Sequence, residues 1–186
     1  MKQILLAIFA AAVAAYPLLA VPHGHEERAI VSFPSEATAV SPDGRFSVVS
    51  VDSNTFSDLG QDHILFLQDM QTQAKRKLLD YYRSVDVLWN PDSSSLAVTN
   101  YVGSNVADCL VFFIATDRKS VNVADKLRIT DPQEVATLDK SSHIYWGAVR
   151  WTSSQSLLVK VWGHTDAQPV RGFEYFHTYQ LTGRSR

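Results

Sequence analysis

The chain has 186 residues, 46% of them apolar and 19% charged, a balance that can bury a core and argues against wholesale disorder. Seventeen basic against 19 acidic residues leave a net charge of -2 and a pI of about 6.3, so there is no basic excess to neutralise nucleic-acid phosphates. A lone cysteine, Cys109, excludes an intramolecular disulfide framework and any multi-cysteine zinc or iron–sulfur site.

Residues 1–20 read as a signal peptide. Lys2 gives a positive start, residues 4–15 carry no charge, and small residues follow, with Val13/Ala15 or Leu18/Ala20 suited to cleavage. An uncharged run of about 12 residues is short for a spanning helix, which needs roughly 20, and Pro17 and Pro22 interrupt any extension. The expectation is an exported protein, periplasmic or extracellular, with no membrane span after cleavage. Residues 21–33 are expected to be a flexible segment and 34–183 a single β-repeat domain.

The domain reads as mainly β. Stretches 46–51, 64–67, 84–89, 96–101, 109–115, 144–151, 157–162 and 173–181 are rich in β-branched and aromatic residues. Between them lie turn sequences such as Pro42-Asp43-Gly44, Asn90-Pro91-Asp92-Ser93, Thr116-Asp117-Arg118-Lys119 and Thr152-Ser153-Ser154-Gln155. Residues 68–79 suggest a hairpin turn and returning strand, with a helix over 70–81 as the alternative on propensity. One short helix is predicted near Pro132 to Leu138, with Asp131 as N-cap, Pro132 at N1 and Glu134 completing a capping box. Adjacent apolar pairs (Val48/Val49, Leu65/Phe66, Val111/Phe112) must point to opposite faces of their strands. They predict sheets stacked between other sheets.

Three stretches, 37–49, 85–98 and 146–159, repeat a strand–turn–strand pattern, and each is followed by a looser loop and a further strand. The blade-like units run over 34–82, 83–130 and 143–182. A multi-stranded repeat of roughly 40–50 residues is the signature of a propeller blade. Ser41-Pro42-Asp43-Gly44-Arg45-Phe46 resembles the strand–turn–strand motif of TolB-type, WD40-like β-propeller repeats. Asn90-Pro91-Asp92 is similar, with Ser in place of Gly, and the third copy lacks both Pro and Asp. The resemblance implies antiparallel blade-like sheets, a partial or atypical propeller of about three units where complete rings have 4–8.

No catalytic motif stands out. TolB-like repeats also occur beside α/β-hydrolase domains in some serine peptidases. Gly103-Ser104-Asn105 lacks the closing glycine of the nucleophile elbow such a domain requires. Cys109 opens an apolar run and reads as a buried strand thiol. His23 and His25 flank Gly24 after the leader, where Pro22 removes the amide that square-planar copper binding would need. His63, His143, His164 and His177 are scattered singly, and His164-Thr165-Asp166 holds two possible ligands on a loop. No metal, cofactor or catalytic residue is assigned. Aromatic residues concentrate in the last quarter, where Trp146, Trp162, Phe173, Tyr175 and Tyr179 are the expected partner surface, since aromatic anchors dominate interfaces. Phe173, Tyr175, His177 and Tyr179 should share one strand face. The function expected is non-catalytic: protein–protein interaction, with a protein partner or a second copy. The alternative is a small exported hydrolase or a metal- or ligand-binding protein with a loop-built site.

Overall fold

The computed structural model describes residues 29–57, 60–115 and 119–181. The expected leader, the His23/His25 pair and most of the turn at 116–119 lie outside the described residues. Among the described residues the architecture is mainly β, with antiparallel sheets and one short helix.

The first four-stranded sheet is made of β2 (Thr38–Val40), β3 (Phe46–Ser57), β4 (Gly60–Asp69) and β5 (Lys75–Tyr81), paired in chain order. The segment at 70–81 is therefore a hairpin return, and the alternative helix does not form. Asp69 fixes the turn, its Oδ1 accepting from the backbone N–H groups of Gln71 and Thr72, while Gln73 takes φ +61°.

The middle strands are β6 (Ser84–Trp89), β7 (Ser95–Tyr101) and β8 (Val106–Phe113), again antiparallel neighbours. Two short strands complete this layer. β1 (Val31–Phe33) pairs with β6, and β9 (Val121–Asn122) pairs with β8. Residues 31–33 were expected within a flexible segment, and the structure corrects this. Phe33 is buried and Ser32 Oγ donates to Asp86 Oδ1 at 2.5 Å, so the strand is tied down by both packing and a hydrogen bond.

Helix α1 (Pro132–Leu138) follows, with Asp131 as N-cap and Pro132 opening it as the sequence predicts, while Glu134 turns to His177 instead of closing a capping box. Asp131 Oδ1 accepts from Gln133 N at 2.7 Å and Glu134 N at 3.2 Å. The last strands, β10 (His143–Ser153), β11 (Ser156–His164) and β12 (Gly172–Gln180), are antiparallel neighbours. They join the middle layer through two parallel residue pairs, Ile144 with Val106 and Tyr145 with Ala107.

Two cores separate these layers. Val48, Leu65, Leu67, Val87, Trp89, Leu96, Val98 and Phe112 belong to the first, between β2–β5 and the middle strands. Leu88, Ala97, Cys109, Val111, Leu157, Val159 and Tyr179 belong to the second, between the middle strands and β10–β12. Consecutive residues such as Val111 and Phe112 thus enter different cores, which is why the middle strands carry apolar residues on both faces.

The repeating turns meet along one end of this stack. In the first, Ser41 Oγ donates to Asp43 Oδ1 and accepts from Phe46 N, and Gly44 takes φ +71°. In the second, Ser93 occupies the equivalent place at φ +62°. Ser93 Oγ accepts from Asp43 N at 3.1 Å, and Asn90 Nδ2 donates to Ser154 O of the third turn at 2.8 Å. A tryptophan precedes the second and third turns. Trp89 Nε1 donates to Ala39 O at 3.0 Å, and Trp151 Nε1 donates to Leu88 O at 3.2 Å. Each acceptor stands two residues before the preceding unit's turn, so one contact joins units one and two and recurs between units two and three.

Candidate functional site

The C-terminal strands carry the residues singled out from the sequence, and alternation along β12 sorts them. Phe173, Tyr175, His177 and Tyr179 share one face, as expected, but that face turns inward. Their cross-strand partners on β11 include Val161, Val159 and Leu157, all buried. Tyr179 is only 7% exposed within the second core, and Trp146 packs against the same core. These two are therefore removed from the expected partner surface, because their register places them opposite buried residues rather than toward solvent. Phe173 and Tyr175 are half-buried and stack on each other at 5.6 Å. His177 Nε2 faces Glu134 Oε2 of α1 at 3.0 Å, an ion-pair contact whose angle is too poor for a hydrogen bond.

Of the expected set, Trp162 stands on the opposite face. There its ring stacks on Tyr145 at 5.4 Å and lies against Gly147, where a Cβ would approach the indole to 2.9 Å. Lys160 lies between the Trp162 and Phe176 rings, 5.4 and 6.0 Å from their centroids, and pairs with Glu174 at 2.5 Å. Phe176 is 52% exposed. Sequence reasoning passed over Phe176 because it grouped β12 by its larger aromatic row, whereas the odd–even alternation itself marks Phe176 as facing the other way. Beyond this face, β12 is the terminal strand of its sheet. Among the described residues no strand pairs with its outer edge.

A second feature lies at the far end of the β10–β11 hairpin. Among the described residues, His143, His164 and Asp166 each place a donor atom within 4.8 Å of the others. His143 and His164 are cross-strand partners with rings stacked at 4.0 Å. An uninterrupted hairpin from the Ser153–Ser156 pair would set His143 opposite Asp166. One-residue slips between Ala148 and Arg150 and between Trp151 and Ser153 set it opposite His164 instead. The strands approach so closely beside this pair that a Cβ on Gly163 would lie 1.8 Å from His143 O.

Two loops supply the rest of the cluster. Asp166 Oδ2 accepts from Ser142 N at 2.7 Å, its Oδ1 accepts from Ser142 Oγ at 2.8 Å, and its N–H donates to Lys140 O. Asp166 Oδ1 also lies 3.5 Å from His143 Nδ1. The Ser142 hydroxyl, with the backbone N–H and nearby His143, holds the Asp166 carboxyl below the usual carboxylate range. His164 Nδ1 is buried without a hydrogen-bond partner. The sequence reading saw His164 and Asp166 as possible ligands. It did not place His143 beside them, because the pairing depends on the two slips.

The remaining candidates are inert or dispersed. Cys109 is fully buried, and burial, aided by neighbouring Asp108, pushes its thiol up to about 12, so it holds no thiolate. His63 sits on β4, with Nδ1 2.9 Å from Asp52 Oδ1, far along the chain from the C-terminal cluster. Two depressions, of about 290 Å³ beside Gly44 and Met70 and about 420 Å³ beside Lys126, Arg128 and Tyr179, are open to solvent. No family model, no curated protein and no solved structure matches the chain.

Proposed function

We propose that this chain is an exported, non-catalytic recognition module that binds a protein partner through the outward face of β10–β12. The observation that carries the reading is the aromatic group on that face: Trp162 stacked on Tyr145, Phe176 half exposed, and Lys160 between them paired to Glu174. A rigid aromatic pair on a sheet loses little conformational freedom on binding. A flanking charged pair adds direction to an otherwise apolar contact. Among the described residues no strand pairs with the outer edge of β12, and an extended segment of the partner can add there as a further strand. Support for the repeat reading comes from the recurring turn and tryptophan contacts. They fit an open stack related to WD40-like propellers rather than a closed ring.

The test is recovery of partners by a tagged chain expressed in its native cell envelope. A partner captured by the unaltered chain should be lost from the Trp162→Ser, Phe176→Ser double variant, with affinity reduced by more than about 2 kcal/mol. Tyr179→Phe, a conservative change inside the core, should leave capture unchanged. Equal capture by the double variant would exclude this face.

A further inference from the structure

We propose that His143, His164 and Asp166 form a binding site for one divalent transition-metal ion of the zinc type. The residues come from three places that the fold draws together: the start of β10, the end of β11 and the loop that leaves it. Two imidazoles and one carboxylate are the donor set of an open site with three protein ligands, which leaves one position for water or a ligand.

Three observations separate this cluster from an ordinary surface group. First, the imidazoles stack at 4.0 Å with an angle of 26° between planes. Two protonated rings at that distance repel, whereas a shared cation is attracted to both neutral rings. Second, His164 Nδ1 is buried and unpartnered. A buried ring nitrogen without a partner costs free energy, and coordination would satisfy it. Third, the carboxylate is already oriented. Ser142 donates to both Asp166 oxygens, and Lys140 O receives the Asp166 N–H. Each carboxylate oxygen has a second lone pair, so these bonds leave Asp166 able to bind an ion. Such outer hydrogen bonds orient a ligand and are the usual support of metal carboxylates.

The donor atoms lie within 4.8 Å of one another. Donors around a tetrahedral zinc stand about 3.4 Å apart, as follows from bonds of roughly 2.1 Å. Closing the cluster therefore takes a shift of about 1 Å per side chain. Asp166 Oδ1 already stands 3.5 Å from His143 Nδ1, close to the tetrahedral spacing. The backbone is less free, because Gly163 lies against His143 O and fixes the distance between the two strands. The His143–His164 pair lies on the same face as the Tyr145–Trp162 pair, two residues along each strand, and zinc binding by the chain alone is read without a protein partner.

The experiment is calorimetric titration of zinc chloride into the full chain. A parallel titration uses the full chain carrying His23→Ala and His25→Ala, which removes the competing N-terminal imidazoles. Both should bind one ion at this site. His143→Asn and His164→Asn should each weaken that binding roughly tenfold or more, Asp166→Asn should weaken it less, and His63→Asn, which alters a histidine–aspartate pair that has no third donor among the described residues, should not change it. The unaltered chain provides a readout that needs no variant. Imidazole nitrogen resonances of His143 and His164 should move together during zinc addition and stop at one equivalent, while those of His63 and His177 stay in place. Binding that vanishes with His23 and His25, or that survives unchanged in the His143 and His164 variants, overturns the proposal. So does a titration in which the His143 and His164 resonances do not move.

Discussion

Gly44 and Ser93 occupy the same place in successive turns, and both have positive φ. At Gly44 a Cβ would meet nothing within 4 Å, so the cost of Gly44→Ala is conformational alone, about 1 kcal/mol in a denaturant titration. Ser93 accepts similar backbone strain, and its hydroxyl receives the Asp43 N–H. Asp43 itself is held below the ordinary carboxylate value of 3.8, first by the Ser41 hydroxyl and then by the Arg45 N–H. A carboxyl whose folded pKa is depressed stabilises the fold fully above its unfolded value and loses that contribution as pH falls through the folded one. Unfolding midpoints should therefore drop below about pH 4, and Asp43→Asn should flatten part of that drop. Cys109 gives a third residue-level outcome. With its thiol fully buried and its pKa pushed up to about 12, alkylation by iodoacetamide should require unfolding, and its rate should follow denaturant concentration.

Between elements, the tryptophans before the turns set how units join. Trp89 is 5% exposed in the first core, so Trp89→Ala should cost about 3–5 kcal/mol in unfolding free energy. Trp89→Phe keeps most of the packing and loses chiefly the bond to Ala39 O, a loss of about 1 kcal/mol. In the first repeat the corresponding residue is Val40, which is 53% exposed, with no preceding unit among the described residues. The first two turns were legible because their chemistry is local: Pro, Asp and a residue tolerant of positive φ lie close in sequence. The Val111/Phe112 pair was legible for the same reason, since period-two alternation leaves consecutive apolar residues no common face; Val48/Val49 and Leu65/Phe66 lie instead in an end layer, where only Val48 and Leu65 enter a core. The strands β1 and β9 were not, because three and two residues show no period and their pairing is decided by β6 and β8. The His143–His164 pair was hidden by two register slips, a feature that turn residues at Ser153–Ser156 do not encode. The inward turn of Tyr179 was missed because alternation divides β12 into two faces without saying which one meets the core.

At the scale of the whole molecule, a stack of three layers has two ends. At one end β2–β5 present Val40 and Val51, both exposed, with Val49 and Phe66 half-buried beside them. At the other end β10–β12 present Trp162, Phe176 and Lys160. Inside the molecule, faces of these two kinds are covered by the next layer, and at the ends no described layer covers them. The two end faces differ in composition, one aliphatic and one aromatic with a charged pair. Association between copies should therefore be head to tail rather than two-fold. In the absence of a partner, the mass measured by light scattering should rise with concentration. Val51→Lys alters one end and Trp162→Lys the other, and each alone should hold the chain monomeric by charging one side of the contact. Mixed together, the two variants retain one intact face each. They should form a one-to-one pair that cannot grow, an outcome that two-fold association does not produce. A chain that stays monomeric at every concentration would exclude association between copies and leave the aromatic face to a different protein.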